Sequence, residues 1–183
     1  MVVTDDAALA RRARHLKDMA HRPGDRFRHD ELGYNYRMTS LQAAFGIGQL
    51  EHVAAFLAQR QWMAAEYAAR LGDVAGLRLP GTKPWAQNVH WMYAVYVDDA
   101  FALSRDQLRA QLAAAGVDTR SFFPSSAGQP MVRERAGIQG PFPVSERIAQ
   151  RGLCLPSGLA LTLAQIDYVC DAILAAGRSG ARL

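Results

Sequence analysis

The apolar positions change period several times along the chain, and each change marks an element. MVVT (1–4) is a short apolar run that reads as a strand. Asp5 and Asp6 cap a helix through about Asp18, with Ala8, Leu9, Ala13 and Leu16 on one face. Residues 19–37 are polar and carry Pro23, Gly24 and Gly33. They read as a long loop, and a loop of that length in a compact domain is usually functional or partner-bound. From Thr39 or Ser40 onward, Leu41, Ala44, Phe45, Leu50, Val53, Leu57, Trp62, Tyr67 and Leu71 keep a helical period with no proline. That spacing predicts one long helix over 39–71. Gly46 and Gly48 weaken it locally and suit close packing against another backbone.

Residues 72–88, with Gly72, Gly76, Pro80, Gly81 and Pro84, read as turns. HWMYAVYVDD (90–99) alternates like a strand, and SRDQLRAQLAAAG (104–116) is a capped helix with a glycine stop. VDTRSFF is a strand running into the loop PSSAGQP. PVSERIAQRG is a short helix, LCLP a short strand, and LTLAQIDYVCDAILAAG a final amphipathic helix. The order predicts an α/β arrangement whose second half is a small sheet covered by helices. A lone strand at 1–4 cannot make a sheet and needs neighbours from elsewhere.

Composition narrows the classes. Half of the 183 residues are hydrophobic, so a packed core is expected. No apolar run approaches the roughly eighteen residues of a membrane helix, and the first residues do not read as a signal peptide. Cys154 and Cys170 read as buried free thiols in a reducing cytoplasm, with a disulfide between them as the lesser alternative. The net charge is +4, and Lys17 and Lys83 are the only lysines, so arginine supplies nearly all positive charge. Arginine forks suit phosphates and carboxylates; a coding bias favouring Arg and Ala explains the excess equally well. The five histidines do not fall at metal-ligand spacing, and no metal site is expected. Ser125 and Ser126 sit in nothing like a nucleophile elbow. The first helix is basic, one sign of nucleic-acid binding, but acidic residues flank it and it reads as a solvated face.

The stretch ELGYNYRMTS (31–40) stands out. Tyr34, Asn35, Tyr36 and Arg37 crowd together just before a helix start. Asn35 is a neutral donor and Arg37 a cation, beside unpaired N–H groups and the positive end of the helix dipole. Together they suit a phosphate. The other reading is that Asn35 turns the chain while Arg37 pairs with Asp30 or Glu31.

These residues, in GYNYRMTSLQAAFGIGQLEHVAAFLAQRQWMAAEYAARL, resemble a signature of the DegT-type (StrS-like) sugar-nucleotide aminotransferases. The resemblance continues, in order, through MVVTDDAALARRARHLKD, HWMYAVYV, GVDTRSFFPSSAGQP and FPVSERIAQRGLCLPSGLALTLAQIDYVCDAI. It implies the C-terminal part of a pyridoxal-phosphate (PLP) enzyme of fold type I, like aspartate aminotransferase: the end of the large domain with an interface loop (1–38), a long connecting helix (39–71) and a small α+β domain (72–183). It further implies a cytoplasmic dimer that aminates a nucleotide-linked keto sugar with glutamate as donor, of the perosamine-synthase kind, in polysaccharide or O-antigen biosynthesis. By the resemblance Asn35 and Arg37 lie at the PLP phosphate of the partner subunit. Tyr34, Tyr36, His90, Trp91, Phe122, Phe123 and Gln129 then fall on the substrate side. For Phe122 and Phe123, plain core packing is the other reading. The family's Schiff-base lysine precedes a segment that MVVTDD resembles the continuation of, and neither Lys17 nor Lys83 matches its motif. This implies a fragment that does not transaminate alone, or else a non-catalytic module that completes a partner's site. Ala127 stands where many relatives carry histidine.

Overall fold

A computed structural model describes residues 2–138 and 140–180. The chain divides into two compact units, Met1–Val53 and Ala54–Leu183.

In the first unit, helix α1 spans Ala7–Lys17, and the Asp6 carboxylate caps it by accepting from the Ala8 and Leu9 amides at 2.7 and 3.1 Å. Residues 2–4 are not a strand: Val2 and Val3 are exposed and pair with nothing among the described residues. An apolar run has strand character only where a neighbouring strand takes its backbone hydrogen bonds. Beyond α1, Met19 and Ala20 take left-handed backbone angles, φ 61° and 49°. The stretch expected to be loop holds a hairpin, β1 (His21–Arg22) and β2 (Asp25–His29), turning at Pro23–Gly24. All five residues of β2 are exposed, so no apolar alternation announced it. The chain then returns along the end of α1. Tyr34 N–H donates to the Leu16 carbonyl (2.7 Å), Met19 N–H to Tyr34 (3.0 Å) and Tyr36 N–H to Lys17 (2.9 Å). Helix α2 (Ser40–Glu51) starts in a capping box between Thr39 and Gln42. Ala20 is the one buried residue among those described in this unit.

The helical run read over 39–71 is present as two segments. Helix α3 (Val53–Leu71) follows α2 after His52, whose N–H turns back to the Gln49 and Leu50 carbonyls.

In the second unit β3 (Leu77–Arg78), β4 (Tyr93–Val97), β5 (Arg120–Ser121) and β6 (Gly152–Leu155) form an antiparallel sheet in the order β3-β4-β6-β5. Register pairs Tyr93 with Leu155 and Val95 with Leu153. The alternation in β4 turns Tyr93, Val95 and Val97 into the core. There they meet Leu108 and Leu112 of α4 (Arg105–Ala114), Ile166, Val169 and Ile173 of α7 (Leu163–Gly180), and Met63, Tyr67 and Leu71 of α3. β6 is buried at all four positions because both of its faces are covered. Two further helices follow β5: α5 (Pro130–Ala136) and α6 (Pro143–Arg151). PMVRERA has no apolar stripe, and α5 escaped the sequence reading for that reason; Pro130 at its start and left-handed Gly137 at its end are its only local marks. Cys154 and Cys170 are buried and free, and burial raises both thiols, Cys170 to about 11.

Candidate functional site

The 34–37 cluster belongs to the first unit. Gly33 allows it: a Cβ there would lie 2.2 Å from the Met19 carbonyl carbon, so only glycine lets this strand approach the left-handed Met19–Ala20 step. The Tyr34 and Tyr36 rings stack at 5.4 Å between centroids and 8° between planes, as expected for alternate residues of an extended segment. Asn35 lies between them in sequence, exposed, and its side chain has no hydrogen-bond partner among the described residues. Its backbone bridges Asp18. Arg37 pairs with Asp18, Nε to Oδ1 at 3.2 Å. The pairing considered from sequence, with Asp30 or Glu31, is not formed. Asp30 takes Arg22 at 3.0 Å, and Glu31 takes Arg12 together with His15. Hydrogen bonding from Arg12 holds the Glu31 carboxyl below the usual range.

The remaining residues belong to the second unit. His90 has φ 46°, a strained angle for a non-glycine residue, and is only 8% exposed. Its N–H donates to Asn88 Oδ1 at 2.9 Å, and its Nδ1 has no partner among the described residues. Burial lowers its pKa, which favours the neutral ring. Beside it stands Tyr93, 6.0 Å between centroids, which in turn stacks on Tyr67. Burial pushes the Tyr93 phenol up to about 12, so neither it nor the still higher Tyr67 exchanges protons near neutrality.

Trp91 is 62% exposed and lies nearly parallel to Phe123, 6.2 Å between centroids and 13° between planes. Phe122 meets Phe123 edge-on and is seated on Gly152, where a Cβ would come within 2.6 Å of the Phe122 Cβ. Neither phenylalanine belongs to the core cluster, and Phe123 is 57% exposed. Trp91, Phe122 and Phe123 are thus brought together. Trp91 and Phe122 wall a cleft of about 640 Å³ that also takes in Tyr96, Ile148, Arg78 and Arg147. Gln129 instead serves the head of α5, its carbonyl accepting from the Val132 and Arg133 amides. The sequence reading did not single out Asp18, Asn88, Arg60 or Ser157, because a polar residue on a helix face or in a turn looks the same whether or not it holds a loop.

The fold and these clusters define a small sheet-and-helix domain preceded by a loop-bearing segment. The sequence matches the DegT/DnrJ/EryC1/StrS aminotransferase family over residues 1–174, and the chain belongs to that family. It is 32% identical to the GDP-perosamine synthase of Caulobacter vibrioides over 174 residues, 94% of this chain and 46% of that one. It is 33% identical over 173 residues to the dTDP-3-amino-3,4,6-trideoxy-alpha-D-glucose transaminase of Streptomyces venezuelae, covering 94% of this chain and 44% of that one. Among solved structures, DesV of Streptomyces venezuelae in complex with a ketimine intermediate superposes with a TM-score of 0.82 at 31% identity, over 99% of this chain and 46% of that one. The fold is that of the C-terminal part of the PLP-dependent sugar aminotransferases, and the chain spans about half the length of the curated relatives it matches. Among the described residues no helix is long and apolar enough to cross a membrane.

Proposed function

We infer that this chain supplies the interface loop and small domain of a sugar-nucleotide aminotransferase, and that it acts when paired with a polypeptide that carries the Schiff-base lysine. The carrying observation is the 33–37 segment. Its shape is fixed by Gly33 and by three backbone hydrogen bonds, yet the Asn35 side-chain amide is exposed and has no partner among the described residues. A rigid backbone presenting an unused donor suits a ligand that arrives from outside the unit.

The residues present fit one part of PLP, its phosphate. Asn35 offers an amide N–H to a phosphate oxygen. Arg37, held at its Nε side by Asp18, adds positive charge in a place set by the α1 terminus. When bound, PLP supplies the electron sink for moving an amino group from glutamate to a nucleotide-linked keto sugar of the perosamine-precursor type. The stacked Tyr34 and Tyr36 form a flat wall. On the small domain, Trp91, Phe122 and Phe123 offer faces for a sugar or base, Gln129 an exposed amide, and buried His90 shapes the turn that carries Trp91. Lys17 is exposed on α1 and Lys83 exposed in a turn, so neither supports a role as the Schiff-base lysine.

The test is co-expression with a lysine-bearing N-terminal half of a relative, followed by assay of amino transfer from glutamate. Activity that appears only with both chains, and that Asn35→Ala abolishes, supports the reading; sustained turnover by this chain alone overturns it. One observation favours a second reading, a non-catalytic module that pairs with a partner subunit or a second copy: a single buried residue among those described in the first unit, beside exposed Leu41, Phe45 and Leu50. Stable association without activity selects it.

A further inference from the structure

We propose that Arg60 is a positioning residue that presents His90 and Trp91. Arg60 lies on α3, within the second unit. Its Nη1 donates to the Trp91 carbonyl at 2.8 Å, the His90 carbonyl at 3.0 Å and the Ser157 carbonyl at 3.3 Å. Among the described residues no carboxylate lies within ion-pair distance of it. A half-buried guanidinium is therefore committed to backbone carbonyls instead of to an opposite charge.

The acceptors come from two segments far apart in sequence, residues 90–91 leading into β4 and residue 157 leaving β6. Both lie at the same end of the sheet, since Tyr93 pairs with Leu155. The same end is tied three more times. Tyr93 N–H donates to Ser157 Oγ at 2.8 Å, Tyr67 Oη to the Pro156 carbonyl at 3.0 Å, and the Gln61 amide to the Asn88 carbonyl. Among these ties Arg60 alone engages residues 90 and 91 and residue 157 together.

What it holds is costly to hold. His90 sits in the left-handed region, which persists only where surrounding contacts over-determine it. It also keeps a buried Nδ1 that has no partner among the described residues. A loop free to relax would rotate His90 out of that angle and hydrate the imidazole. Arg60, with Asn88 capping the His90 amide, removes that freedom, and Trp91 is thereby fixed over Phe123. The inference deepens the reading that Trp91 faces the substrate and rests on it for its consequence in catalysis, but not for the positioning itself.

The two are tested separately. In the full chain, 5-fluorotryptophan reports each tryptophan by ¹⁹F NMR, and ring-labelled histidine reports the His90 titration. Arg60→Met is expected to shift and broaden the Trp91 resonance and to raise the His90 pKa toward the ordinary histidine value, while exposed Trp85 stays unchanged. Arg60→Lys, which keeps a cationic donor, recovers both in part. Unmoved Trp91 and His90 signals in a folded Arg60→Met chain overturn the proposal. If Arg60→Met does not fold, the same two signals in Arg60→Gln decide, since its neutral amide ends short of the point from which Nη1 meets all three carbonyls; no change there overturns it. In the two-chain enzyme, Arg60→Met then raises KM for the keto sugar more than it lowers kcat. If Trp91→Ala leaves KM untouched while Arg60→Met still frees the loop, the substrate reading falls and the positioning stands.

Discussion

An alanine at position 33 would set its Cβ 2.2 Å from the Met19 carbonyl carbon and 2.3 Å from the Ala20 nitrogen. Neither atom can retreat, because each belongs to a backbone already in the left-handed region. Gly33→Ala is expected to strip the 34–36 pairing from α1 at a cost of about 1–3 kcal/mol. Hydrogen exchange checks it: the Tyr34 and Tyr36 amides, now bonded to Leu16 and Lys17, lose protection. His90 carries a pH signature with a definite sign. Burial depresses its folded pKa, so the unfolded chain binds the proton first and stability is full above the ordinary histidine pKa. It falls as pH drops through the ordinary value toward the depressed one. His90→Asn, which tolerates the left-handed angle, should flatten that part of the curve in thermal melts between about pH 7.5 and 5. Tyr34, Asn35, Tyr36 and Arg37 were legible as a group in sequence, since such residues rarely crowd before a helix without cause. Arg37's partner was not: Asp18 is nineteen positions away, and the left-handed step at Met19–Ala20 that returns the chain to it has no local signature.

Capping was the most legible feature at the scale of elements. Asp6, Thr39 and Ser104 each begin a helix as the sequence implied, and Thr39 and Ser104 both close full capping boxes with glutamine. The two boxes nonetheless predict different experiments. Ser104 starts α4, whose Leu108 and Leu112 are fully buried. Ser104→Ala should lower the global unfolding free energy by about 1 kcal/mol. Thr39 starts α2, which has no buried residue, so Thr39→Ala should leave the global transition where it is and show only as fraying in amide exchange. Chemical denaturation of both variants beside the parent tests the contrast. Elements without an apolar period were the ones missed. β2 is exposed throughout and α5 has no stripe; conversely, residues 2–4 are apolar in the main but pair with nothing among the described residues. Periodicity registers apolar positions whether or not they are buried: α1 and α2 have no buried residue yet carry stripes that can be read, while β2 and α5 carry none.

The whole molecule divides by its core. The clustered buried residues run from Met63 to Ala176, all in the second unit. Residues 54–183 should therefore fold alone, with a melting temperature close to that of the full chain, which calorimetry of the truncated chain would establish. The first unit leaves Phe27 93%, Leu41 82% and Phe45 72% exposed. Patches of that kind drive association. Leu41→Lys with Phe45→Lys should shift the full chain toward monomer in size-exclusion chromatography without moving its melting temperature.

That single buried alanine among the described residues of the first unit also bears on how the segment can change over generations. Where a side chain packs in a core, selection for folding restrains it whatever the protein does. Over residues 2–53 that restraint acts at Ala20 and, through backbone clearance, at Gly33. Elsewhere in the segment only caps, turns and surface pairs such as Asp6, Gly24 and Thr39 add restraint from folding, and the exposed apolar positions carry none. A population in which Leu41, Phe45 and Asn35 nonetheless stay fixed would record a history of service to another surface, and one in which they scatter would record its end.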